Sequence, residues 1–203
     1  MRYIIVLIIL FAFYSCKNDT TNNHIQTYEY LAVCFEDFYL NYDVKATPLL
    51  NQFENRLIKE GQLSDTTASA YQKLFRKLEK QTYFSPPLKK DNFNRVLLLK
   101  SPTDIMNCGI SVFGLDSTTI RNTPFSKIQE KIFHKTTSQE EVSIKYFFRL
   151  YGNELPDKEI RAPYVKQSIL LLLYRWYYKS KSHQTDKIEQ KDPTVNCSGL
   201  VKK

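Results

Sequence analysis

The chain has 203 residues and a mass of 24.0 kDa, enough for one domain of ordinary size. With 42% apolar and 25% charged residues it is neither a disordered chain nor a polytopic membrane protein. Five glycines are too few for collagen-like, Rossmann-type or glycine-rich phosphate-cradling architectures, and the net charge of +8 is spread along the chain.

At the N-terminus Arg2 supplies a positive charge and Tyr3 to Tyr14 is an unbroken apolar run. A membrane-spanning helix needs about 20 residues, so this run is too short to span and has the length of a secretory-signal core. It stops at Ser15-Cys16, and a polar stretch from Lys17 to Gln26 follows. A small residue, a cysteine and a polar linker in that order resemble the cleavage site of bacterial lipoproteins. The Ile-, Lys-, Asn- and Tyr-rich composition suits the Bacteroidota form of that family. The resemblance implies a signal peptide over 1–15 and acylation of Cys16, which becomes the first mature residue. It also implies a place at the outer membrane, facing the periplasm or the cell surface. Lys17-Asn18-Asp19 resembles the export signal of surface lipoproteins in that phylum. Asp19-Thr20-Thr21, Asp65-Thr66-Thr67 and Asp116-Ser117-Thr118 resemble its O-glycosylation sites.

Residues 16–26 then read as lipidated Cys and tether, 27–179 as a single helical domain, and 180–203 as a polar tail expected to be mobile. In the domain, Tyr28, Leu31, Phe35, Phe38, Tyr39 and Tyr42 recur at helical spacing, with Glu29, Glu36 and Asp37 off the stripe. Thr47-Pro48 predicts a capped second helix with Leu50, Phe53 and Leu57 on its apolar face, ended by Gly61. Ser64-Asp65 predicts the start of a third, carrying Tyr71, Leu74, Phe75 and Leu78, stopped by Ser85-Pro86-Pro87.

The middle of the chain is less regular. Arg95 to Lys100 and Ile110 to Phe113 are short, apolar and compatible with strands, and they read as a small β-hairpin or as buried irregular segments. Thr123-Pro124 repeats the cap-and-proline signal ahead of Phe125, Ile128 and Ile132. Ser138 with Glu141 forms a capping-box pattern that favours a helix through Ile144, Phe147, Phe148 and Tyr151 over an alternating strand. Ala162-Pro163 opens the most apolar segment of the mature chain, Tyr164 to Tyr178, interrupted by Lys166 and Arg175. Apolarity on nearly all sides marks the central helix of a core. The expected fold is mainly α, a bundle of five to six helices with or without the hairpin.

Chemistry is sparse. With Cys16 acylated, Cys34, Cys108 and Cys197 remain. Cys34 sits in apolar sequence and reads as a free core thiol, whereas Cys108 and Cys197 lie in loop-like sequence as a candidate disulfide pair, the connectivity staying open. No two cysteines have metal-ligand spacing and His24, His134 and His183 stand apart, so neither a metal nor a cofactor is expected. Removing residues 1–15 leaves 28 basic residues against 21 acids, without the aromatic-laced stripe that nucleic acid requires. The densest collection of reactive types lies in 101–134, where Cys108 as nucleophile, His134 as base and Asp116 as its orienter define a candidate thiol hydrolase. The expected function is a non-catalytic binding or assembly subunit of the envelope, held to the membrane at Cys16 and meeting an envelope protein. The alternatives are the hydrolase and an immunity-type lipoprotein.

Overall fold

The computed structural model describes residues 19–80, 95–98, 102–137 and 143–182. Cys16, the signal peptide, Ser85-Pro86-Pro87, the Ser138–Glu141 capping box and Cys197 lie outside them. Among the described residues there are nine α-helices, one 3-10 turn and no strand.

Helix α1, Asp19–Leu40, begins earlier than the Tyr28 start of its apolar stripe, so residues 19–26 are its first turns. Tyr28, Leu31, Phe35 and Tyr39 are each only 1% exposed, as their spacing requires. The helix ends in a turn in which Asp43 takes a left-handed φ of 57°. Helix α2, Ala46–Lys59, opens one residue ahead of Thr47, and Lys45 at its cap makes no side-chain bond. The cap comes instead from α1. Glu36 Oε2 accepts the Thr47 backbone N–H at 2.8 Å and its hydroxyl at 2.6 Å. Glu36 therefore does not stand on a solvated face; it satisfies an orphan donor of the next helix. Gly61, at φ 68°, turns the chain after α2, a backbone state that favours glycine.

Helix α3, Ala68–Lys80, starts three residues past Asp65. Asp65 accepts from the Thr67 N–H at 2.7 Å, and the Thr67 hydroxyl accepts from the Ala70 N–H at 3.3 Å. Among the described residues the middle of the chain forms no hairpin. Arg95–Leu98 is the 3-10 turn and Pro102–Phe113 is helix α4. The physical reason is proximity to α1. Tyr30 stacks on Phe113 at 4.7 Å between ring centroids, and a Cβ on Gly109 would stand 2.9 Å from Leu31 Cδ2. Gly109 thus lets two helix backbones approach; it does not break α4. Leu97, fully buried, fills the core with its 3-10 turn.

Helix α5, Ser117–Arg121, is a single short turn, and α6, Pro124–Thr137, begins with proline after Thr123, as its cap signal predicts. The Thr123 hydroxyl accepts the Ser126 N–H at 3.2 Å. Helix α7, Ile144–Glu154, is capped by Ser143, whose side chain accepts from the Lys145 N–H. It lies on α3, with Phe75 stacked on Phe148 at 6.0 Å, and Gly152 lets Phe75 come close. A short α8, Asp157–Ile160, leads into α9, Pro163–Ser182. Val165, Ile169 and Leu173 of α9 are fully buried against α1, α2 and the 3-10 turn. The two cations that interrupt its apolar stretch, Lys166 and Arg175, are answered within the fold. Lys166 pairs with Glu54 of α2 at 2.8 Å, and Arg175 donates to the Leu97 carbonyl at 2.9 Å and to the Tyr39 hydroxyl at 3.1 Å. No described helix is long and apolar enough to cross a membrane. The count of nine exceeds the five to six expected because α4, α5 and α8 carry no long apolar period.

Candidate functional site

The three residues proposed for bond-breaking chemistry each hold a different position. Cys108 is bonded to Cys34, with Cα atoms 5.8 Å apart, across 74 residues of sequence. This replaces the Cys108–Cys197 pairing and the free Cys34 thiol. Cys34 lies one helical turn beyond Tyr30, on the flank of α1 that faces α4, and the antiparallel crossing brings it to Cys108. A sulfur in a disulfide has no thiolate to attack with.

Asp116 caps α5 by accepting the Thr119 N–H at 2.9 Å. That bond chiefly holds its carboxyl below the ordinary range. His134, near the end of α6, is exposed and stands 3.6 Å from Glu130 one turn back. None of these bonds joins two members of the set. Among the described residues no three His, Cys, Asp or Glu side chains group closely enough to hold a metal ion.

Two buried carboxylates escaped the reading of the sequence. Glu54, 3% exposed on α2, accepts the Tyr71 hydroxyl at 2.6 Å and the Lys166 ammonium. Glu159, also 3% exposed on α8, accepts the Tyr28 hydroxyl at 2.6 Å and the Phe125 N–H at 3.1 Å. The second bond satisfies an orphan donor in the first turn of α6. Both carboxylates join helices distant in sequence. Burial, followed by the hydrogen bond to the carboxylate, pushes the Tyr28 and Tyr71 phenols far above their ordinary value.

An open recess on the surface lies between α3 and α7. It holds about 330 Å³ and is lined by Glu79, Ser143, Lys145, Tyr146 and Arg149. The Tyr146 ring carries two cations, the Lys135 ammonium 5.2 Å from its centroid and the Arg149 guanidinium at 5.1 Å. Cations near an aromatic face are attracted to its quadrupole and held in place. Lys145 and Arg149 in the lining, with Lys135 beside them on the Tyr146 ring, outnumber the one carboxylate there, Glu79, and the balance suits an acidic or carboxylate-bearing group. Among the described residues the lining offers no thiol or imidazole. This site escaped the sequence reading, which followed the apolar stripe Ile144, Phe147, Phe148 and Tyr151 and gave Arg149 no role. The signal present was the i, i+3 pairing of an aromatic with an arginine.

Fold and surface together define a mainly α-helical protein with an internal disulfide and a basic, aromatic recess. No protein-family model, no curated protein and no solved structure matches the chain.

Proposed function

We propose that the protein is a bacterial envelope lipoprotein, acylated at Cys16 and acting as a non-catalytic binding or assembly subunit. The observation that carries this reading is the Cys34–Cys108 disulfide. Such bonds form and persist in oxidising compartments, the destination that the apolar run at 3–14 implies. The same bond takes the sulfur that a thiol hydrolase would need. The recess around Tyr146 is the surface we assign to the partner, through an acidic segment that meets Lys135, Lys145 and Arg149. An anchor of two or three acyl chains exceeds the single chain that binds reversibly, so attachment is lasting.

The test is mass spectrometry of the full chain purified from gently solubilised membranes, beside an Arg149→Glu variant. The expected result is acylated Cys16, an oxidised Cys34–Cys108 peptide and a stoichiometric companion lost on charge reversal at 149. An intact Met1 overturns the anchor. A companion retained by Arg149→Glu and by Tyr146→Ala overturns the assignment of the recess.

A further inference from the structure

Six large apolar side chains stand in solvent among the described residues, and three of them lie on α1. Ile25 is 38% exposed, Val33 48% and Leu40 43%. At about 100° per residue, Val33 falls about 80° and Leu40 about 60° round the helix from Ile25. The three therefore share one face and run about 22 Å along it. The others do not line up. Ile110 and Val112 sit two residues apart on α4, about 160° from each other, and Phe133 stands on α6.

The charges on that face of α1 have one sign. The helix carries Asp19, Glu29, Glu36 and Asp37 and no lysine or arginine, in a chain whose net charge is +8. Along the face the order is Ile25, Glu29, Val33, Glu36, Leu40, at the four- and three-residue steps by which one helix packs on another. Glu29 is exposed, and Glu36, though it caps α2, keeps its negative charge on this side. Among the described residues neither Glu29 nor Asp37 is ion-paired. Burial, then the charge of Glu36 beside it, raises the Asp37 carboxyl above its ordinary range. An apolar seam laced with unanswered acids is complementary to a helix that brings apolar residues and cations at the same steps.

We propose that this face of α1 docks a basic amphipathic helix of a partner protein, its apolar residues on Ile25, Val33 and Leu40 and its Lys or Arg on Glu29 and Asp37. The face shares no residue with the recess around Tyr146 and takes the opposite charge, so one subunit holds two partners of unlike chemistry. Charge argues against the other occupants. A second copy lying antiparallel sets Glu29 against Glu36 twice, and a parallel copy sets each acid against itself. Lipid would receive Glu29 together with its apolar neighbours, whereas helices that lie in an anionic interface flank their apolar face with Lys and Arg.

The test places the photo-crosslinking residue p-benzoylphenylalanine at position 33 of the full chain in cells and reads the attached peptide by mass spectrometry. Val33 is exposed, so the change leaves the core intact, and position 40 repeats the reading should 33 disturb α1. The expected adduct is a peptide of a different protein in which Lys and Arg outnumber Asp and Glu and apolar residues recur every seven or eight positions. Its yield is expected to fall at least about fivefold with Glu29→Lys, as reversal of an interface charge requires, and to hold with Arg149→Glu. The same crosslinker at position 133, where the side chain is more exposed, is expected not to give that peptide. An adduct with a second copy, with residues 183–203 of the same chain, with lipid or with an acidic peptide overturns the docking. So does a yield that Glu29→Lys leaves unchanged, the same peptide at position 133, or no adduct at 33 and 40.

Discussion

Tyr28, Tyr39, Tyr71, Tyr151 and Tyr164 carry their hydroxyls into the core, and burial is the largest cause that raises all five phenols, Tyr164 to about 12. At Tyr28 and Tyr71 the accepting carboxylate adds to the rise, because ionising the phenol would set two negative charges 2.6 Å apart. Unfolded tyrosines ionise near pH 10, so above that pH the folded chain holds more protons than the unfolded one. The stability tied to these phenols is therefore complete below about pH 10 and falls as the pH rises past it, by up to about 1.4 kcal/mol per pH unit for each. An alkaline titration should show a set of phenols that stays protonated until the helices melt and then ionises in one step. Smooth ionisation of every tyrosine with the helical signal unchanged would contradict it. The apolar side of these residues was legible, since Tyr28 and Tyr71 fall on helical stripes. Their carboxylate partners were not, because Glu159 lies 131 residues from Tyr28 and no local pattern links them.

Helices that borrow their caps from one another explain why element boundaries were harder to read than elements. The start of α2 is held by Glu36 of α1, and the Thr47 hydroxyl in turn accepts from Gln167 of α9 at 2.8 Å. Removing that carboxylate leaves helix-terminal donors without a partner, so Glu36→Ala should lower stability to urea by about 1 kcal/mol, as loss of an N-cap does. Glu36→Gln, which keeps an acceptor oxygen, should lose less than half of that, and equal losses in the two variants would argue against capping. Where a helix carried its own signals, as with Thr123-Pro124 or the Gly61 stop, pattern and structure agree. Helix α4 was misread because short apolar runs have no decisive period and because Gly109, which its crossing with α1 requires, looks like a breaker when seen alone.

For the molecule as a whole the covalent link between α1 and α4 closes a loop of 74 residues. In the chain-entropy account a loop of that size is worth about 4 kcal/mol, because the unfolded chain loses so many conformations. The double variant Cys34→Ala/Cys108→Ala should unfold at a correspondingly lower denaturant concentration and no longer respond to reductant. A loss under about 1 kcal/mol would mean that α4 is held by packing alone. The mainly helical class was legible from periodicity, whereas the pairing of Cys34 with Cys108 was not. A cysteine in apolar sequence looks like a core residue until the crossing helix is known.

The relation of α1 to α9 has a mechanical consequence. Tyr164 lies beside Phe35 and Arg175 reaches Tyr39, so the two neighbouring helices run in the same sense. The chain enters the described body at one end and leaves it, at Ser182, at the other. Tension between those ends loads the helix pair in shear and strains its contacts simultaneously. Tension applied across the pair would open them one after another, so the body is stiffest along the line that joins its two ends.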